Sequence, residues 1–148
     1  MRLWKQDTSL AEVNGWGPNT MIERLGIHVV DIGDDYVRGT MPVDARTHQP
    51  YGLLHGGASV SLAETLGTIG AMLCVDAATE LAVGLEINAN HVRGVTSGTV
   101  TGTARPIHVG RSTQVWEIRI EDERGRLVCI ARLTVAVVPR QPAASSSA

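Results

Sequence analysis

Phenylalanine is missing altogether from this 148-residue chain, which holds only two tyrosines and three tryptophans. Its core must therefore be built from Val, Leu, Ile, Ala and Met. An excess of one charge is lacking too: 13 Lys and Arg stand against 15 Asp and Glu, a formal net of −2. A general nucleic-acid binder would show a basic face or stripe, so that class is excluded. No uninterrupted apolar run approaches the length of a membrane span, and the opening MRLWKQDTSLAEVNG has no apolar stretch of the secretory kind. The only two cysteines, Cys74 and Cys129, lie far apart in apolar segments. They read as reduced core thiols, which points to a cytoplasmic protein. Five histidines are present without an HExxH or other paired ligand spacing, so neither metal nor cofactor is expected.

What remains is a chain 43% hydrophobic and 19% charged, the composition of one globular domain. The domain is expected to span 1–138, and the small polar end PRQPAASSSA (139–148) reads as a disordered tail. TSLAEVNG opens with a capping box, Ser9 with Glu12, and predicts a short helix ending near Gly15. PNTMIERLG predicts a second one stopped by Gly26. IHVVDIG and DYVRGTMPV read as two strands about a turn, with Val37, Gly39 and Met41 sharing one face. Asp31, Asp34, Asp35 and Asp44 are most simply turn formers.

From about Gly57 to Cys74 runs the one long helix, apolar around most of its circumference. Four strand-like runs follow: LAVGLEINANHVR, GTVTGTARPIHVG, STQVWEIRIED and RLVCIARLTVAVV, the last two joined by a hairpin at DERGR. One long helix among strands implies an α+β domain whose antiparallel sheet wraps that helix. Yet the helix carries a carboxylate, Glu64, two turns after a His-Gly-Gly start. Either Glu64 lies on an exposed edge, or it is a buried carboxylate kept for chemistry.

QPYGLLHGGASVSLAET together with GLEINANHVR resembles the hotdog-fold acyl-CoA thioesterases. The similarity is strongest to the group containing 1,4-dihydroxy-2-naphthoyl-CoA thioesterases and related aryl-thioester hydrolases. It extends from about TMIERLG through RLTVAVV. It implies a hotdog fold and hydrolysis of an aryl- or acyl-CoA thioester to free acid and coenzyme A. In that family the glutamate two turns into the helix is the catalytic carboxylate, which maps onto Glu64; the loop Gln and the His-Gly map onto Gln49, His55 and Gly56. Physical chemistry supports these roles. A helix N-terminus offers unpaired N–H groups and the positive end of its dipole, so a Gly56 or Gly57 N–H can polarise the thioester carbonyl. Glu64 then activates water or attacks the acyl carbon itself. Thr68, one turn on, shares its face. His55 and Gln49 each also admit a plain hydrogen-bonding role at the loop–helix junction.

Coenzyme A requires phosphate contacts. His91 and Arg93 in NHVRG, Arg105, and the loop His108, Val109, Gly110, Arg111 and Ser112 are the basic and turn-forming candidates, with Gly57 and Gly84 as further substrate contacts. Arg38, Arg119 and Arg132 read instead as solvated or cross-strand charges. A carrier-protein thioester is the other possible substrate form; no nucleic acid and no membrane partner is expected. Two rival functions use the same scaffold: a hydratase or dehydratase of acyl thioesters, and a non-catalytic acyl-CoA-binding module.

Spacing adds an expectation of its own. Gly56 and Glu64 are eight residues apart, roughly 12 Å along a helix. One chain cannot set both on the same carbonyl, so a homodimer with shared active sites is expected. The resemblance extends this to a dimer of dimers, a homotetramer.

Overall fold

Two short capped helices lead the chain. In α1 (Leu10–Asn14) the Glu12 N–H donates to the Ser9 hydroxyl at 3.2 Å, and the Ser9 N–H donates to the Glu12 carboxylate at 2.8 Å. In α2 (Met21–Arg24) the Thr20 hydroxyl accepts the Ile22 N–H, and the chain leaves through Gly26 at φ +69°. The computed structural model describes residues 2–142, so the expected tail from 143 onward lies outside the described residues. Order continues past the expected boundary at 138: the last strand runs to Pro139, and the Arg140 N–H donates to the Thr79 carbonyl at 2.8 Å.

Six strands form one antiparallel sheet: β1 (His28–Ile32), β2 (Val37–Pro42), β3 (Glu80–His91), β4 (Thr99–Val109), β5 (Thr113–Glu121) and β6 (Leu127–Pro139). Their order is β1-β2-β4-β5-β6-β3. The long helix α3 (Gly56–Leu73) lies against one face, which is the α+β hotdog architecture. Strand β2 alternates as expected, with Val37, Gly39 and Met41 buried. Asp31 is an exception to the turn-former reading. It sits in β1, accepting the Tyr36 hydroxyl at 2.6 Å and facing Arg38 at 3.6 Å.

Leu62, Leu66 and Leu73 of α3 are fully buried in one core with Trp116, Ile118 and Leu133 of the sheet. Each such leucine contributes about 1.5–3 kcal/mol. The approach is close because the facing surface is pared down. Gly39 and Gly102 are directly paired across β2 and β4, and a Cβ on either would come within 2.7–2.8 Å of Leu66. Gly70 makes the same allowance for Trp116, whose ring would meet a Cβ there at 2.7 Å. Trp116 stacks on Trp4 at 6.3 Å between ring centroids and donates to buried Gln114 at 3.0 Å. Both cysteines are free and buried. Burial pushes the Cys74 thiol up to about 11 and raises Cys129 as well, so neither is a reactive group. No helix among the described residues is long and apolar enough to cross a membrane.

The sheet order puts β3 at an edge, with β6 on one side and no strand on the other. It is 12 residues long and exposes Val83 and Leu85, with exposed Val92 just beyond its end. A long edge strand is a pairing surface that monomers ordinarily blunt with charge, proline or a covering element; the exposed charge of β3 is Glu86, beside Val83 and Leu85.

Candidate active site

The loop before α3 is built to hold its start in place. Thr47 is buried, with its hydroxyl donating to the Pro42 carbonyl at 2.7 Å, and the His55 N–H donates to the Thr47 carbonyl at 2.8 Å. Asp44 is held down at about 2 by hydrogen bonds from the Arg46 guanidinium and main chain, which fixes the preceding turn. Gln49 folds a turn of its own. Its N–H donates to the Leu53 carbonyl, its carbonyl accepts from Gly52, and its side-chain oxygen accepts from Tyr51. Gly52 sits at φ +79°, where other residues are strained.

His55 caps α3 with its ring: Nδ1 accepts the Gly57 N–H at 2.8 Å. The neutral imidazole therefore carries its proton on Nε2 and presents a donor to the outside. The Ala58 and Ser59 N–H groups bond the His55 carbonyl at 3.0 and 3.2 Å. Of the donors at the helix start only the Gly56 N–H has no acceptor among the described residues. The sequence leaves Gly56 and Gly57 both open as carbonyl polarisers; the structure commits Gly57 to its own cap. Gly56 opens on a cleft of about 360 Å³ lined by Gln49, Leu54, Ser59, His91 and Arg93. A Cβ at Gly56 would come 2.8 Å from His91 Nε2, so a side chain there displaces the His91 ring from beneath it.

Glu64 belongs to a different cleft. It is half-buried, makes no hydrogen bond or ion pair among the described residues, and rests over Gly84 of β3. Its cleft, about 330 Å³ and mostly apolar, is lined by Trp16, Ile22, Thr65, Thr68, Ile69 and Met72. Thr68 therefore does share the Glu64 face. Trp16 and Ile22, which sequence reasoning missed, come from the α1–α2 arm. The signal was available in GWGP, a tryptophan set between glycines in a chain with only three.

The remaining candidates divide. Val109, Gly110 and Arg111 line a third cleft of about 240 Å³ with Cys74 and Val75, at the far end of α3 from Gly56. His108 folds over Gly110, whose N–H donates to the Thr113 carbonyl at 2.8 Å, and the Ser112 carbonyl accepts from Val137. Arg105 is taken up by Asp35 at 2.7 Å and by the Tyr36 ring. Within one chain, then, Gln49, His55, Gly56, His91 and Arg93 come together, and Glu64, Thr68 and Gly84 come together. The two groups stand apart, and the His108–Ser112 loop adjoins neither. Among the described residues no three His, Cys, Asp or Glu side chains gather as a metal site would need.

Comparison with known proteins bears on this arrangement. The family pattern of the thioesterase superfamily matches residues 51–129, from the Gln49 turn to the third residue of β6. The chain is 50% identical over 136 residues to the 1,4-dihydroxy-2-naphthoyl-CoA hydrolase of Escherichia coli, covering 92% of this chain and 99% of that protein. It is 48% identical over 136 residues to the proofreading thioesterase EntH of Cronobacter turicensis, covering 92% and 98%. Among solved structures, a mutant thioesterase PA1618 from Pseudomonas aeruginosa superposes with a TM-score of 0.92 at 52% identity, over 93% of this chain and 99% of that one.

Proposed function

The chain belongs to the thioesterase superfamily, and we propose that it hydrolyses aryl- or acyl-coenzyme A thioesters at a site completed by a second copy of itself. The observation that carries this reading is the division of the site along one edge strand. Gly84, in the first half of β3, underlies Glu64, and His91, its last residue, underlies Gly56. Pairing β3 with a second β3 across a two-fold axis near Ile87 and Asn88 sets Gly84 opposite the partner's 90–92 stretch. That places Glu64 against the partner's Gly56, and the reverse.

The chemistry follows from those positions. The thioester oxygen accepts the Gly56 N–H at the positive end of α3, which stabilises the oxyanion as it forms. The partner's Glu64 either takes a proton from water, whose oxygen adds to the acyl carbon, or adds its own carboxylate oxygen to give a mixed anhydride that water then cleaves. In both cases the C–S bond breaks and the sulfur leaves with a proton as coenzyme A thiol. His55 Nε2–H and Gln49 are second donors beside the carbonyl. With Nδ1 engaged by Gly57, His55 is a donor rather than a base, which argues against the dehydratase reading. The assay is direct. Benzoyl-CoA releases free thiol in the presence of the protein, and crotonyl-CoA keeps its unsaturated absorbance. Hydration of crotonyl-CoA without thiol release would replace this reading with the hydratase, and neither reaction would leave the binding module.

The two-fold pairing also accounts for the coenzyme A loop. Gln114 pairs with Val135, which pairs with Gly84, so the His108–Ser112 turn lies two strands in from the Gly84 end of β3. Across the dimer the partner's turn lies about 15 Å from His91 at roughly 4.8 Å per strand, the scale of a pantetheine arm. Replacing Arg111 or His108 by alanine is expected to raise KM for coenzyme A thioesters severalfold with little change in kcat, because the phosphates are remote from the reacting carbon. Equal KM values across low and high salt would dismiss the loop. A dimer of dimers, implied by the family resemblance, and a cytoplasmic location, expected from the reduced cysteines, complete the proposal.

A further inference from the structure

The cleft beside Glu64 holds a group that the hydrolytic chemistry does not use. Trp16 is 47% exposed, whereas the other two tryptophans are buried and stacked on each other. The indole N–H of each buried tryptophan is hydrogen-bonded, at 2.7 Å for Trp4 and 3.0 Å for Trp116; that of Trp16 has no partner among the described residues. Leaving so large an apolar ring half in water has no benefit to the core. Nor does Trp16 sit on a loose loop. Two residues earlier the Asn14 amide clamps the main chain of Val29, donating to its carbonyl at 2.8 Å and accepting its N–H at 2.9 Å. The Trp16 N–H donates to the Val13 carbonyl at 3.2 Å, and Gly17 is held from both sides by Asn14 and Thr20. The backbone carrying the indole is thus fixed on β1, facing α3.

Opposite Trp16 stand Ile69 and Met72, and the Met72 thioether is itself fixed by accepting the Ala82 N–H at 3.2 Å. Ile22 closes a further side, and Glu64 and Thr68 form the polar edge. The result is a pre-formed apolar slot with one flat aromatic wall, next to the carboxylate.

We propose that Trp16 is the specificity-determining residue of this enzyme, selecting thioesters whose acyl group is a planar aromatic ring that stacks on the indole. The proposal rests on the hydrolase reading of Glu64 and adds to it the residue that sets acyl selectivity. A planar ring offers the indole a whole face in offset stacking, whereas a flexible alkyl chain loses rotamer freedom to make a narrower contact. Because the ring sits beside the reacting carbonyl, its docking also orients the acyl carbon toward Glu64, so the effect reaches kcat as well as KM.

The test compares kcat/KM for benzoyl-CoA and hexanoyl-CoA in the wild type, Trp16→Ala and Trp16→Phe. The alanine variant is expected to lose roughly ten- to hundredfold on benzoyl-CoA and under about threefold on hexanoyl-CoA, with phenylalanine restoring most of the preference. Since Trp16 is half-exposed and outside the core, the fold survives its removal, and a general loss of structure would lower both substrates together. Equal losses on the two substrates, or no loss on either, would overturn the role of Trp16 while wild-type thiol release leaves the hydrolase reading standing. If the wild type cleaves neither thioester, the hydrolase reading fails and Trp16 selectivity falls with it.

Discussion

Replacing Glu64 by alanine is expected to abolish thioester hydrolysis while the domain stays folded. The carboxylate makes no hydrogen bond or ion pair among the described residues, and its neighbours Trp16, Ile22, Ile69 and Met72 are apolar. Removing it orphans no partner, and relieving a half-buried, unpaired polar group makes the folded state no less stable. The cost falls on the reaction alone. A positioned general base contributes about 10²–10⁴-fold, and a nucleophile whose loss leaves no alternative route costs at least as much. Thiol release from benzoyl-CoA and a thermal melt on the same preparation check both halves. Glu64→Gln, which keeps the volume, should be as inactive as Glu64→Ala. Near wild-type turnover in either variant would remove Glu64 from the mechanism.

Hybrid dimers isolated from a mixture of two inactive chains are expected to show about half the wild-type activity. One chain carries Glu64→Ala. The other is crippled at the helix start, for which Gly56→Val serves, because any Cβ there collides with His91. In a hybrid dimer one site joins the intact Gly56 of the first chain to the intact Glu64 of the second, and the other site combines both lesions. The expectation comes from lengths: the two residues are separated by about 12 Å of helix, while both must approach one carbonyl within about 3–3.5 Å. It also comes from the two separate clefts in which the structure places them. If each site were built within a single chain, both sites of the hybrid would be damaged and nothing would return. A dead hybrid with subunit exchange verified would rule out the shared site, and would move the search for the Gly56 counterpart to another carboxylate.

Much of this protein was legible before any coordinates. The capping box at Ser9 and Glu12, the alternation of Val37, Gly39 and Met41, and the DERGR hairpin depend on neighbours a few residues apart, so local rules suffice. The helix start was legible for the same reason: a glycine with an unpaired N–H and a histidine that caps are properties of one turn. Eight residues of helical rise between Gly56 and Glu64 were enough to raise the expectation of a second chain.

Three features were decided only by the tertiary structure, because each depends on segments distant in sequence. The sheet order makes β3 an edge although it lies mid-chain, and that edge is what could bring Glu64 to another Gly56. The slot beside Glu64 takes Trp16 and Ile22 from an N-terminal arm about fifty residues away, which no local pattern on α3 reveals. The choice between Gly56 and Gly57 turned on which N–H donor the His55 ring met, on a loop whose main chain is tied by hydrogen bonds to the distant Thr47 and Val95 carbonyls. Periodicity and spacing determine which elements form and which residues share a face; long-range burial decides which elements become neighbours, and so which side chains can meet at one carbonyl.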